Sequence, residues 1–142
     1  MSATEIRMRW QKLTNEELDI AVGVGALSTK DAEAKAKELS SIRADTGFFL
    51  AGLAKLRPPP ELAACHARAT EGGALVKKSL DTINELWMQR LPRAADPRAQ
   101  ADALARDVCE GFAKLRSGRE ACGVALPAGR EEAPLLTFGC AK

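Results

Sequence analysis

Leu53-Ala54-Lys55-Leu56-Arg57-Pro58-Pro59-Pro60-Glu61-Leu62-Ala63-Ala64-Cys65-His66 is the stretch on which the fold turns. Upstream of the prolines, apolar positions fall at Ala32, Leu39, Ile42, Phe49, Leu53 and Leu56. Downstream they resume at Leu62, Cys65, Ala69, Val76, Leu80, Ile83 and Trp87. Steps of three, four and seven place such side chains on one face of a helix. Pro58-Pro59-Pro60 cannot lie inside a helix, because proline lacks the amide hydrogen and clashes with the preceding turn. It does suit the first turn of a new helix. One amphipathic helix therefore stops here and another begins.

The same rhythm extends outward in both directions. Ile6, Trp10, Leu13, Ile20 and Val24 share a face, with Glu17 as its one interruption; Ala101, Leu104 or Ala105, Val108, Phe112 and Leu115 share another. Gly23-Val24-Gly25 followed by Ser28-Thr29 reads as a helix stop and a fresh cap, with Asp31 completing a capping box from Ser28. Leu91-Pro92 breaks the third helix, and Asp96-Pro97 caps the fourth. The expected helices cover residues 3–24, 28–57, 60–91 and 96–122. Thr14, with Glu17 three residues on, could bend or split the first. Gly47 and Gly52 each weaken the second by ~1 kcal/mol relative to alanine, and Gly72-Gly73 suggests a close contact or a kink in the third. Short connections make neighbouring helices antiparallel, so the expected fold is an all-α, up-down-up-down four-helix bundle over residues 1–126.

Past Gly123 the pattern is lost. Gly123 to Gly129 cannot continue a helix, and Arg130-Glu131-Glu132 before Pro134 reads as a solvated loop. Leu135, Leu136 and Phe138 together are more apolar than a free tail requires. Residues 127–142 are therefore expected as an irregular tail pinned to the bundle, with those three side chains packed near Cys109.

The four cysteines, Cys65, Cys109, Cys122 and Cys140, allow three pairings. Around an antiparallel turn at 92–96, facing residues of the third and fourth helices have numbers summing to about 188; 65 and 122 give 187. Both lie on inward stripes. Cys109 and Cys122 are 13 residues apart on one helix, roughly 20 Å by the helical rise, beyond disulfide reach. Cys109 lies one residue off its stripe, on the flank where a returning tail would bring Cys140. The expected bonds are Cys65–Cys122 and Cys109–Cys140, set against free core thiols and a zinc site, for which no C-x-x-C or H-x-x-H spacing exists. Two disulfides imply an oxidising compartment. Met1-Ser2-Ala3-Thr4-Glu5 is polar and no apolar leader segment follows, so an exported chain would have lost its leader. Taken as the natural start, the same residues mean a cytoplasmic protein with free thiols. The abundance of Ala and Arg suits a GC-rich, bacterial source.

Chemistry-bearing patterns are sparse. The chain has 142 residues, enough for one domain, with 21 Lys+Arg against 19 Asp+Glu and a net charge of +2. Both signs are interleaved, giving no case for nucleic acid or an anionic membrane, and no apolar run nears the ~18 residues of a membrane span. His66, the only histidine, adjoins Cys65, but adjacent helical residues point about 100° apart and a bonded cysteine is no nucleophile. It is expected at a solvent edge or in a capping role, ahead of a haem or metal carrier. Met8 is at about the right height for a haem ligand, but it lies off its stripe, and no C-x-x-C-H is present for covalent attachment. No Glu-x-x-His motif is present for a di-metal site, and neither phosphate-binding glycine motif occurs. Trp10 and Trp87 are expected in the core before any interface, and Lys77-Lys78, Arg116 and Arg119 on solvated faces. No catalytic, cofactor or metal residues are assigned; the chain is not expected to be an enzyme.

The segment Leu53 to Leu62 followed by His66 resembles the hairpin of small bacterial envelope lipoproteins of helical-bundle type, which often carry a Leu–Pro–Pro–x–x–Leu–His turn. The resemblance spans about 15 residues and has a simple structural cause, proline at a helix start. It implies an exported location, with any lipid anchor on a leader not present here, and carries over no catalytic residue. The expected function is thus a non-catalytic binding or interaction module of the periplasm or envelope with a protein partner. The alternatives are a cytoplasmic helical adaptor or regulator, self-associating through a bundle face, or a carrier built on His66.

Overall fold

The computed structural model describes residues 1–89, 95–132 and 140. Helices α1 (Ala3–Ala26), α2 (Ala32–Lys55), α3 (Pro60–Trp87) and α4 (Pro97–Ala121) follow one another, with a single 3-10 turn at Leu27–Thr29 and no strand among the described residues. The architecture is the expected all-α bundle. Consecutive helices pack as neighbours, and the stripes meet in one core in which Ile6, Trp10, Val24, Leu39, Leu53, Ala69, Leu80 and Val108 are fully buried.

Local chemistry explains most boundaries. Ser2 accepts the Glu5 amide at 3.1 Å, and Asp96 accepts the Arg98 and Ala99 amides. Each side chain satisfies amides that an N-terminus leaves without helical partners. Pro60 takes the first position of α3. The first connection differs from expectation. Gly23 and Gly25 do not end α1, which runs on to Ala26. Packing overrides propensity there: Val24 is fully buried, and a Cβ on Gly23 would sit 3.1 Å from Ile42. Ser28 accordingly caps nothing. Asp31 itself caps α2, accepting from Ala34 at 2.9 Å. Nor does Thr14 split α1; its hydroxyl donates to the Trp10 carbonyl one turn back.

The tightest contact is between α3 and α4. A Cβ on Gly72 would lie 2.5 Å from the Leu115 nitrogen, and one on Gly118 would lie 2.6 Å from the Ala69 nitrogen. These are backbone atoms that cannot give way. Glycine at 72, 111 and 118 is what lets the two backbones touch, so Gly72 makes a close contact and α3 continues through it.

α4 ends in a Schellman motif. The Val124 amide donates to the Arg119 carbonyl and the Gly123 amide to Glu120, with Gly123 at φ +73°, a conformation open to glycine at little steric penalty. The chain is thereby turned back along the seam between α1 and α4. Gln11 donates to the Leu126 carbonyl at 3.3 Å, Arg130 pairs with Asp19 at 2.9 Å, and Glu132 pairs with Arg116 and Arg119. Residues 123–132 thus run parallel to α1 and antiparallel to α4, as a strap over that seam. Leu135, Leu136 and Phe138, expected to pack near Cys109, lie outside the described residues, as does the expected end of α3 at Leu91.

Candidate functional site

The two cysteine pairs and the seam they bracket form the most constructed part of the molecule. Cys65 on α3 and Cys122, at the C-cap of α4, are disulfide-bonded with Cα atoms 5.5 Å apart. Cys109 on α4 and Cys140 are bonded with Cα atoms 5.4 Å apart. No cysteine is free. Cys122 is fully buried and its sulfur rests 3.6 Å from the Leu62 carbonyl. Cys65, Cys109 and Cys140 are half-buried.

Between these bonds lies a charged cluster that the sequence did not suggest. Arg119, expected on a solvated face, is only 1% exposed. Its position continues the inward stripe from Leu115, so the helical period wins over the charge. What makes burial tolerable is a carboxylate on each side: Glu17 from α1 and Glu132 from the strap both accept hydrogen bonds from its guanidinium. Glu17 is likewise buried. Burial pushes its carboxyl above the usual 4.5, with Arg119 opposing and Glu132 adding to the rise. Glu17 Oε1 and Arg119 Nε have no hydrogen-bond partner. Glu17, which interrupts its stripe in the sequence, was the available signal; its partner Arg119 is 102 residues away, and the second carboxylate on Arg119, Glu132, lies in the aperiodic strap.

His66 takes the capping role. Its Nε2 lies 3.0 Å from the Leu53 carbonyl near the end of α2. A carbonyl only accepts, so Nε2 carries the hydrogen and donates. The ring also stands edge-on to Trp10, with centroids 5.6 Å apart and planes at 86°, an arrangement favoured by aromatic quadrupoles. His66 therefore clasps α1, α2 and α3 together at one pole. Met8 is 61% exposed.

Elsewhere on the surface, Trp87 departs from its expected core place at 43% exposure. It is the last residue of α3, one turn beyond Ile83, which still packs on the core. Met88 and Phe48 are also exposed. A shallow groove of about 370 Å³ beside α3 is lined by Leu50, Ala74, Lys77, Asp81, Thr82 and Glu85. There Asp81 accepts from both Arg43 and Lys77 at 2.8 Å. Burial acts to raise the Asp81 carboxyl, but these two hydrogen bonds outweigh it and hold the group below its usual 3.8. Among the described residues no cluster of three His, Cys, Asp or Glu side chains could hold a metal ion, and no helix is long and apolar enough to cross a membrane. Comparison with protein-family models, with curated proteins and with solved structures yields no match for this chain.

Proposed function

We propose that this chain is a non-catalytic binding or interaction module of the bacterial periplasm or envelope, which recognises another protein. The observation that carries the reading is the presence of two disulfides joining separate segments of one small helical bundle. Such bonds persist where thiols are not kept reduced. The charged residues best placed for chemistry, Arg119 and Glu17, are consumed by their mutual pairing beneath the strap, and His66 Nε2 is spent on the Leu53 carbonyl. Exposed Phe48, Trp87 and Met88 supply the aromatic and thioether side chains from which protein-binding surfaces draw their anchors. The deciding experiment is thiol titration of protein taken from its native source and denatured without reductant. We expect no free thiols. Four would move the protein to the cytoplasm, as a helical adaptor or regulator.

A further inference from the structure

We propose that the Cys109–Cys140 bond is a redox latch, whose reduction by a dithiol releases residues 125–132 from the α1–α4 seam and uncovers Arg119. The two disulfides are held in different ways. Cys65 and Cys122 sit where Gly118 brings the backbones of α3 and α4 into contact, and Cys122 is fully buried. Their sulfurs would stay together after reduction, because the helices that carry them stay together. Cys140 belongs to no helix, and both it and Cys109 are partly open to solvent.

Among the described residues, few ties other than that bond hold the strap. Val124, its one fully covered residue, stays with the Schellman turn at the end of α4. The Gln11 contact to the Leu126 carbonyl is long, at 3.3 Å, and the Arg130–Asp19 pair is exposed. Exposed ion pairs contribute little. Glu132 is the remaining tie among the described residues: it pairs with Arg116 and covers one side of the buried Arg119 guanidinium. When the strap leaves, Arg119 keeps Glu17 and loses Glu132, so a cationic group with a vacant carboxylate position faces the opened seam.

The reduction step is ordinary thiol–disulfide exchange. A thiolate of the dithiol attacks one sulfur and expels the other as a thiolate. The reagent's second thiol then resolves the mixed disulfide. Cys109 and Cys140 end as thiols and the reagent as its cyclic disulfide, with two electrons and two protons transferred. The inference needs only the disulfide and the strap, so it stands or falls apart from the proposed location.

The test uses the full-length oxidised protein in graded dithiothreitol, with pulse alkylation and mass spectrometry, hydrogen–deuterium exchange and circular dichroism. Cys109 and Cys140 should be labelled at a reductant level roughly tenfold below that which opens Cys65–Cys122. At that level amides of 125–132 should lose protection while those of α1 to α4 and the helical spectrum are unchanged. Phenylglyoxal should then modify Arg119, which it should not reach in the oxidised protein. Full-length Cys109→Ser with Cys140→Ser should show the same open strap without reductant. Joint reduction of both disulfides, or a strap that stays protected once Cys109 and Cys140 are reduced, would overturn the latch. Failure of phenylglyoxal to reach Arg119 in the opened protein would overturn its uncovering.

Discussion

Arg119 shows what a single residue can cost and hold in this bundle. A buried guanidinium depends on the hydrogen-bonding groups that face it; removing one member of a buried pair typically destabilises by about 3–5 kcal/mol. We expect Arg119→Met to lower the unfolding free energy by about that amount, and the added change Glu17→Leu to restore part of it, measured by urea denaturation as a double-mutant cycle. Glu17 also carries a pH signature. Its carboxyl is raised by burial against the pull of Arg119, so the folded chain keeps this proton to higher pH than the unfolded chain does. The stability it contributes is therefore full below 4.5 and declines as pH rises towards the folded value. Glu17→Gln should flatten that part of the pH profile. Asp81 has the opposite sign: held below 3.8, it contributes above that value, and the contribution is lost as acid reaches its folded value. The position of Arg119 was legible, since it continues the stripe of Leu115. Its environment was not, because neither a pairing partner 102 residues away nor an aperiodic strap leaves a periodic trace.

Among the elements, α3 and α4 make the closest backbone contact. Their three glycines make the interface a contact of backbones, where added volume has nowhere to go. Gly118→Ala, whose Cβ would fall 2.6 Å from both the Ala69 nitrogen and the Cys65 carbonyl, should cost about 3 kcal/mol or more, given the 1–3 typical of overpacked cores. The check is a drop in melting temperature larger than that of Gly47→Ala, where a Cβ would meet only the end of Lys77 at 3.8 Å. The antiparallel register of this pair could be worked out beforehand because two straight stripes meeting around a short turn have a fixed numerical sum. The first connection misled because glycine is read as a stop by propensity alone. At Gly23 the absent side chain instead makes room for Ile42 on the facing helix.

At the scale of the whole molecule the two disulfides divide the labour. The Cys65–Cys122 bond spans 57 residues, and in the chain-entropy model such a loop is worth about 4 kcal/mol, a large share of the 5–15 typical of a domain. We expect Cys65→Ser with Cys122→Ser to depress the melting temperature strongly. The change Cys109→Ser with Cys140→Ser should depress it less, since an open strap leaves the helices packed. Calorimetry of the two double variants orders the effects. The four cysteines also interleave along the chain, each bond beginning inside the span of the other or ending there. A single peptide cleavage anywhere between Cys65 and Cys140 thus never frees a fragment: a cut before Cys109 is bridged by the first bond, a cut after Cys122 by the second, and a cut between them by both. α1 and α2 lie outside this closed circuit and have no such insurance. In protease-rich surroundings the chain would be lost from its N-terminal half, while its C-terminal half, nicked, remained one covalent body until a reductant arrived.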